Sequence, residues 1–138
     1  MDKQQTLDKN QPQKNPKRIL IAEDDKFQSQ IYRLSLSKEV YDIVMAADGR
    51  QTMEEARRQK PDLILLDLLM PVKDGFEVLQ ELKDDPNLKN IKIIVLTNLG
   101  DRKDLEEVRR LGVSDFLVKA NISIAEMVAK VKAILGDS

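Results

Sequence analysis

From residue 18 onward, runs of aliphatic residues alternate with stretches in which apolar residues recur every third or fourth position. The runs have the length and the branched side chains of buried strands. They predict strands over 18–23, 41–46, 62–67, 91–96 and 114–118. The spaced stretches predict helices over 25–37, 49–59, 75–84, 101–111 and 123–135. On the first helix Phe27, Ile31 and Leu34 fall on one face, expected to meet the core. Leu105, Val108 and Leu111 do so on the fourth. On the fifth the stripe is Ile124, Val128, Val131 and Leu135, widened by Met127 and Ile134. Asp48 with Gln51, Asp101 with Asp104 and Ser123 with Glu126 mark helix entries, the last reading as a capping box. Gly112 stands where the fourth helix should stop.

Five strand–helix units in series, with strands apolar on both faces, imply an open sheet covered by helices on both sides. The expected class is α/β: a doubly wound (βα)5, five-stranded parallel sheet of order 2-1-3-4-5, flavodoxin-like. Residues 1–16 read differently. Their only large apolar residues are Met1 and Leu7, among Gln, Asn, Lys and Pro. Such a segment buries too little surface to offset the entropy of ordering it. A disordered polar tail is expected over 1–16, followed by one domain over 17–138. The 138 residues suit a single core.

Composition narrows the chemistry. The net charge is −1. The first eighteen residues carry five Lys/Arg against two Asp, which leaves the remainder weakly acidic. That is no electrostatic footprint for DNA or RNA, so no nucleic-acid partner is expected. The chain has neither cysteine nor histidine. Disulfides, thiol catalysis, thiolate or imidazole metal sites and a Ser-His-Asp triad are all excluded. No apolar stretch approaches the roughly 20 residues of a membrane span. The N-terminus lacks an apolar signal core, so a cytoplasmic location with no membrane partner is expected.

What remains is carboxylate, hydroxyl and amine chemistry, and it gathers at strand ends. The run Ile19-Leu20-Ile21-Ala22 ends in Glu23, Asp24 and Asp25. The run Leu63-Ile64-Leu65-Leu66 ends in Asp67. In open α/β sheets, ligands bind beyond the carboxyl ends of the strands where strand order reverses. For the order 2-1-3-4-5 that point lies between strands 1 and 3. One acid suffices to cap the first helix, and Asp25 suits that role. Glu23, Asp24 and Asp67 exceed it. Crowded carboxylates with no imidazole or thiolate favour a hard divalent cation such as Mg²⁺. Strand 4 ends in Thr97, a hydrogen-bond donor for an anion, and strand 5 ends in Lys119, a point positive charge.

Ile19 to Asp24, then Asp62 to Pro71 (Asp-Leu-Ile-Leu-Leu-Asp-Leu-Leu-Met-Pro), then Thr97 and Lys119, together resemble the receiver domain of bacterial two-component response regulators. The resemblance spans residue 18 to about 136. It implies that Asp67 is a phosphoacceptor attacking a phosphohistidine on a partner histidine kinase or histidine phosphotransfer protein. It implies that Asp24, Asp67 and the backbone carbonyl of Leu69 ligate Mg²⁺, with Glu23 acting through a metal-bound water. Lys119 would pair with the phosphoryl oxygens and Thr97 would hydrogen-bond one of them. Thr97 and Phe116 would form the switch that alters a partner-binding face.

Two positions depart from the family pattern. Ala120 follows Lys119 where the family usually has a proline in a cis bond. A non-proline cis bond costs roughly 3 kcal/mol, which favours a trans bond and a differently shaped loop. Phe116 lacks the hydroxyl of the commoner tyrosine. The expectation is a stand-alone receiver, a monomer or weak homodimer, whose only catalysis is its own phosphorylation and slow autodephosphorylation. The alternative is a pseudo-receiver, or a fragment of a larger regulator or hybrid kinase, acting as a protein-interaction module. A flavin mononucleotide carrier is opposed by the acids at 23–25. A haloacid-dehalogenase-type phosphatase is opposed by Leu69, which stands where a second Asp would be needed.

Overall fold

The computed structural model describes residues 16–137. The tail expected to be disordered therefore lies, but for Pro16, outside the described residues. Five strands form one sheet: β1 (Lys17–Ala22), β2 (Tyr41–Ala46), β3 (Leu63–Leu66), β4 (Lys92–Thr97) and β5 (Asp115–Val118). All neighbours pair in parallel, in the order β2-β1-β3-β4-β5. Five helices alternate with them: α1 (Lys26–Ser37), α2 (Gly49–Gln59), α3 (Gly75–Asp84), α4 (Arg102–Arg110) and α5 (Ile124–Leu135). The expected class and strand order are borne out.

Strand side chains alternate between two cores, because successive Cβ atoms point to opposite faces. Leu20, Ile64 and Val95 face a core closed by Met53 of α2, Leu79 of α3 and Val108 of α4. Ile19, Leu65 and Ile94 face a second core closed by Leu36 of α1 and Val131 of α5. Each fully buried aliphatic side chain contributes about 1.5–3 kcal/mol. With both faces covered, the three central strands are apolar almost throughout, and their polar residues are displaced to the ends.

The helix entries are capped as expected. Asp48 accepts from the Gln51 amide at 2.7 Å, Asp101 from the Asp104 amide at 2.9 Å, and Ser123 and Glu126 complete a capping box. A second capping box, Asp74 with Glu77, starts α3. Gly112 takes φ +75 just after α4, the left-handed conformation that lets a helix end without a Cβ penalty.

One core assignment is corrected. Phe27 is 76% exposed and Leu34 is 54% exposed. The buried residues of α1 are Ser29, Tyr32 and Leu36. The helix presents a face turned by roughly one residue from the expected one, about 100° on a 3.6-residue helix. Small Ser29 lets it lie close to the sheet, and its hydroxyl returns a bond to the Lys26 carbonyl at 3.1 Å. Tyr32 buries its ring and donates its hydroxyl to Gln28 Oε1 at 3.2 Å. On α5, Ile124 lies outside the buried stripe at 38% exposure, and Met127, Val131 and Leu135 carry it. No helix among the described residues is long and apolar enough to cross a membrane.

Candidate phosphoacceptor site

Register brings the acids together. Ala22 of β1 lies opposite Leu66 of β3, so Glu23 and Asp67 leave the sheet side by side. The Asp67 amide still donates to the Ala22 carbonyl and the Glu23 amide to the Ala46 carbonyl, both at 3.0 Å. These bonds carry the ladder one step past the strands and fix where both carboxylates start. Both side chains are buried, while Asp24 is exposed. One oxygen from each of Glu23, Asp24 and Asp67 lies within 4.8 Å of the others.

Lys119 leaves the end of β5 and reaches across β4 to this cluster. Its Nζ donates to Asp67 Oδ2 at 2.7 Å and to Glu23 Oε1 at 2.6 Å. Its side chain is only 11% exposed. Thr97, fully buried at the end of β4, donates its hydroxyl to Asp67 Oδ1 at 2.7 Å. The Leu69 amide donates to the same oxygen at 3.0 Å. Both oxygens of Asp67 are thus held by donors.

Burial pushes the Glu23 carboxyl above its usual range, reinforced by the nearby Asp67 charge and opposed by the bond from Lys119. Burial alone would lower Lys119. Its bonds to Asp67 and Glu23 more than offset that and raise it, so it stays cationic. The pocket holds three acids against one lysine. An excess of hard oxygen donors in partly buried surroundings fits a divalent cation.

The Lys119–Ala120 bond is trans, since no cis peptide bond occurs among the described residues. A short 3₁₀ turn follows, Lys119–Asn121. Lys119 still reaches the acids, because its stem spans the gap. Asp25 caps α1 through the Gln28 amide at 3.1 Å, as expected of it, and donates its own amide to Glu23 Oε2 at 3.0 Å. Phe116 lies opposite Val95, half-buried against the core under α4.

Sequence reasoning missed the glycines that let the site close. A Cβ on Gly75 would come within 2.5 Å of Leu68 Cα and 2.8 Å of the Asp67 carbonyl. A Cβ on Gly49 would meet the Lys73 carbonyl at 1.8 Å. Both follow an N-cap aspartate, and that repeated Asp-Gly pair was the available signal. Between them, the loop after β3 makes a γ-turn. The Lys73 amide donates to the Pro71 carbonyl at 2.8 Å, with Val72 at φ +72. A β-branched residue is rarely found there, and the turn is strained.

A family model described as the response regulator receiver domain matches residues 19–132. The chain belongs to the response regulator receiver family. Among curated proteins it is similar to the polar-differentiation response regulator DivK of Brucella anthropi. The identity is 32% over 123 residues, covering 89% of this chain and 99% of DivK. Among solved structures, this receiver is similar to the receiver domain of a LuxO repressor protein from Vibrio parahaemolyticus. That match has a TM-score of 0.81 and 29% identity, covering 88% of this chain and 91% of the other. It is also similar to the Mn²⁺-bound form of the response regulator Rcp1, with a TM-score of 0.78 and 32% identity, covering 87% and 94%.

Proposed function

We propose that this receiver accepts a phosphoryl group onto Asp67 from a phosphohistidine of a partner histidine kinase or histidine phosphotransfer protein. The observation that carries the reading is the treatment of Asp67. It is a buried carboxylate held at both oxygens by a cation, a hydroxyl and an amide, beside two further acids. Holding the carboxylate in one orientation favours in-line attack. An Asp67 carboxylate oxygen bonds to phosphorus as the phosphorus–nitrogen bond breaks, and the electron pair of that bond returns to the partner's imidazole. The product is an acyl phosphate.

Asp24, Asp67 and the Leu69 carbonyl would hold Mg²⁺, with Glu23 contributing through water. The ion supplies charge neutralisation for the phosphoryl oxygens. The Mn²⁺-bound form of Rcp1 supports a divalent ion in a related receiver. Lys119 keeps its charge beside the acceptor and stabilises the incoming anion. Thr97 already donates toward Asp67. It can transfer that bond to a phosphoryl oxygen, drawing β4's end inward and altering the space around Phe116, a shift between two packings.

Incubation with acetyl phosphate and Mg²⁺ tests the reading by intact mass. One phosphoryl adduct is expected, absent from Asp67→Asn. An adduct that persists in that variant overturns it.

A further inference from the structure

The backbone ladder between β4 and β5 ends with Thr97 opposite Val118. One step beyond it, a side chain takes over. The Ala120 amide donates to Asn98 Oδ1 at 3.2 Å. Thr97 and Asn98 are neighbours in sequence, as are Lys119 and Ala120. The bond therefore joins the two strand ends that deliver the hydroxyl and the amine to Asp67.

The turn at Lys119–Asn121 needs such a bond. The first amides of a helical turn have no acceptor within it. Val118, at the N-cap position, has no side chain to offer one. Asn98 supplies the acceptor from the neighbouring loop. It can do so because residue 120 carries an N–H, which proline would lack. On the other side of the bond, the Leu99 amide donates to Thr97 Oγ1 at 3.3 Å, bracing the loop that holds Asn98. Lys119 has a long, flexible stem, yet its Nζ sits within hydrogen-bond distance of two carboxylates at once. Fixing the backbone immediately after it narrows the places that stem can go.

We propose that Asn98 is a positioning residue for Lys119, acting through the Ala120 amide and linking the turn that aims the lysine to the loop that carries Thr97. The inference rests on Asp67 being the phosphoacceptor. When a tetrahedral anion occupies Asp67, Lys119 and Thr97 must both move to meet its oxygens. A bond between their loops makes those movements one.

The test uses the full chain, beryllofluoride with Mg²⁺ as the phosphoryl mimic, and NMR. In free wild-type protein the Lys119 Cε resonance should stand apart from those of exposed lysines. In Asn98→Ala it should move toward them, and the Ala120 amide should exchange with solvent several-fold faster. The beryllofluoride titration midpoint should rise about fivefold, the weight of one hydrogen bond. Asn98→Asp, which keeps a side-chain oxygen at the same reach, should retain the slow Ala120 amide. Asn98→Ala with an unmoved Lys119 resonance, or with the wild-type midpoint, overturns the positioning role and leaves the acceptor reading standing. A wild-type protein that ignores beryllofluoride overturns both.

Discussion

The two ends of the sheet are built from the same kinds of residue and handle them in opposite ways. At the amino end, polar groups are neutralised locally. Arg18 donates Nε to Asp42 at 2.7 Å and Nη1 to Gln59 Oε1 at 2.9 Å, and its amide donates to Asp62 at 2.7 Å. Lys17 bonds to the Leu135 carbonyl, and Tyr41 donates its hydroxyl to Asp137 at 2.9 Å. At the carboxyl end, two buried acids share a single lysine, with a third, exposed acid beside them. The loop beside them carries Val72 at positive φ and two exposed apolar side chains, Leu69 and Val72. The first end closes the fold. The second keeps like charges together at a cost in stability, which is where chemistry is found in an otherwise self-consistent chain.

The sharpest way to break the comparison is Asp67→Asn. Phosphorylation by acetyl phosphate should vanish. Stability should hold or rise by about 1 kcal/mol, because one of the crowded charges is removed while Lys119 keeps Glu23. Urea unfolding beside intact mass reads both. A large loss of stability would mean that Asp67 is structural.

Chelation comes next. With excess chelator, phosphorylation should fall by orders of magnitude while the fold persists. Titrating Mg²⁺ back should add about 2.7 kcal/mol of stability at a hundredfold excess over Kd, as ligand binding to the native state requires, and raise the melting temperature with it. Calorimetry across that titration checks it, and an unchanged melting temperature would contradict the cation site.

Gly75→Ala should act on both properties together. Its Cβ would press on Leu68 Cα and the Asp67 carbonyl, which are backbone atoms with little freedom to yield. About 3 kcal/mol of stability should be lost, together with much of the phosphorylation rate, since the Asp67 backbone itself is displaced. Denaturant midpoints and a time course of adduct formation measure the pair.

Arg18→Ala should affect only the other end. Losing its partly exposed pairs should cost about 1 kcal/mol and leave the phosphorylation rate as it was. A slowed rate would show that the two ends are coupled.

The smallest effect lies at alkaline pH. Burial, with the bond to Asp137 reinforcing it, pushes the Tyr41 phenol well above its usual value. A raised acid contributes stability that is fully present below its unfolded pKa, about 10. That stability is lost as pH rises above 10 toward the folded value. Stability measured between pH 9 and 11 should fall less steeply in Tyr41→Phe than in wild type.

Much of this molecule was legible in the residue order alone. Strand and helix positions follow from the alternation of apolar runs with helical spacing, and the caps at Asp48, Asp101 and Ser123 from local chemistry within four residues. Glu23, Asp24, Asp67, Thr97 and Lys119 were visible because a polar residue at the end of an apolar run needs a reason. That reason survives any detail of packing.

What only tertiary structure decided are matters of angle and close approach. In α1, apolar residues stand at 27, 31 and 34 and again at 32 and 36, two stripes about 100° apart on the helix. Spacing cannot choose between them. The way the helix lies on the sheet does, burying Tyr32 and Leu36 and leaving Phe27 outside. The near contact of Gly75 with the Asp67–Leu68 backbone, and the bond between Asn98 and the Ala120 amide, join residues distant in sequence. No local pattern encodes such pairs, because they exist only once the register of the sheet has set those loops beside each other.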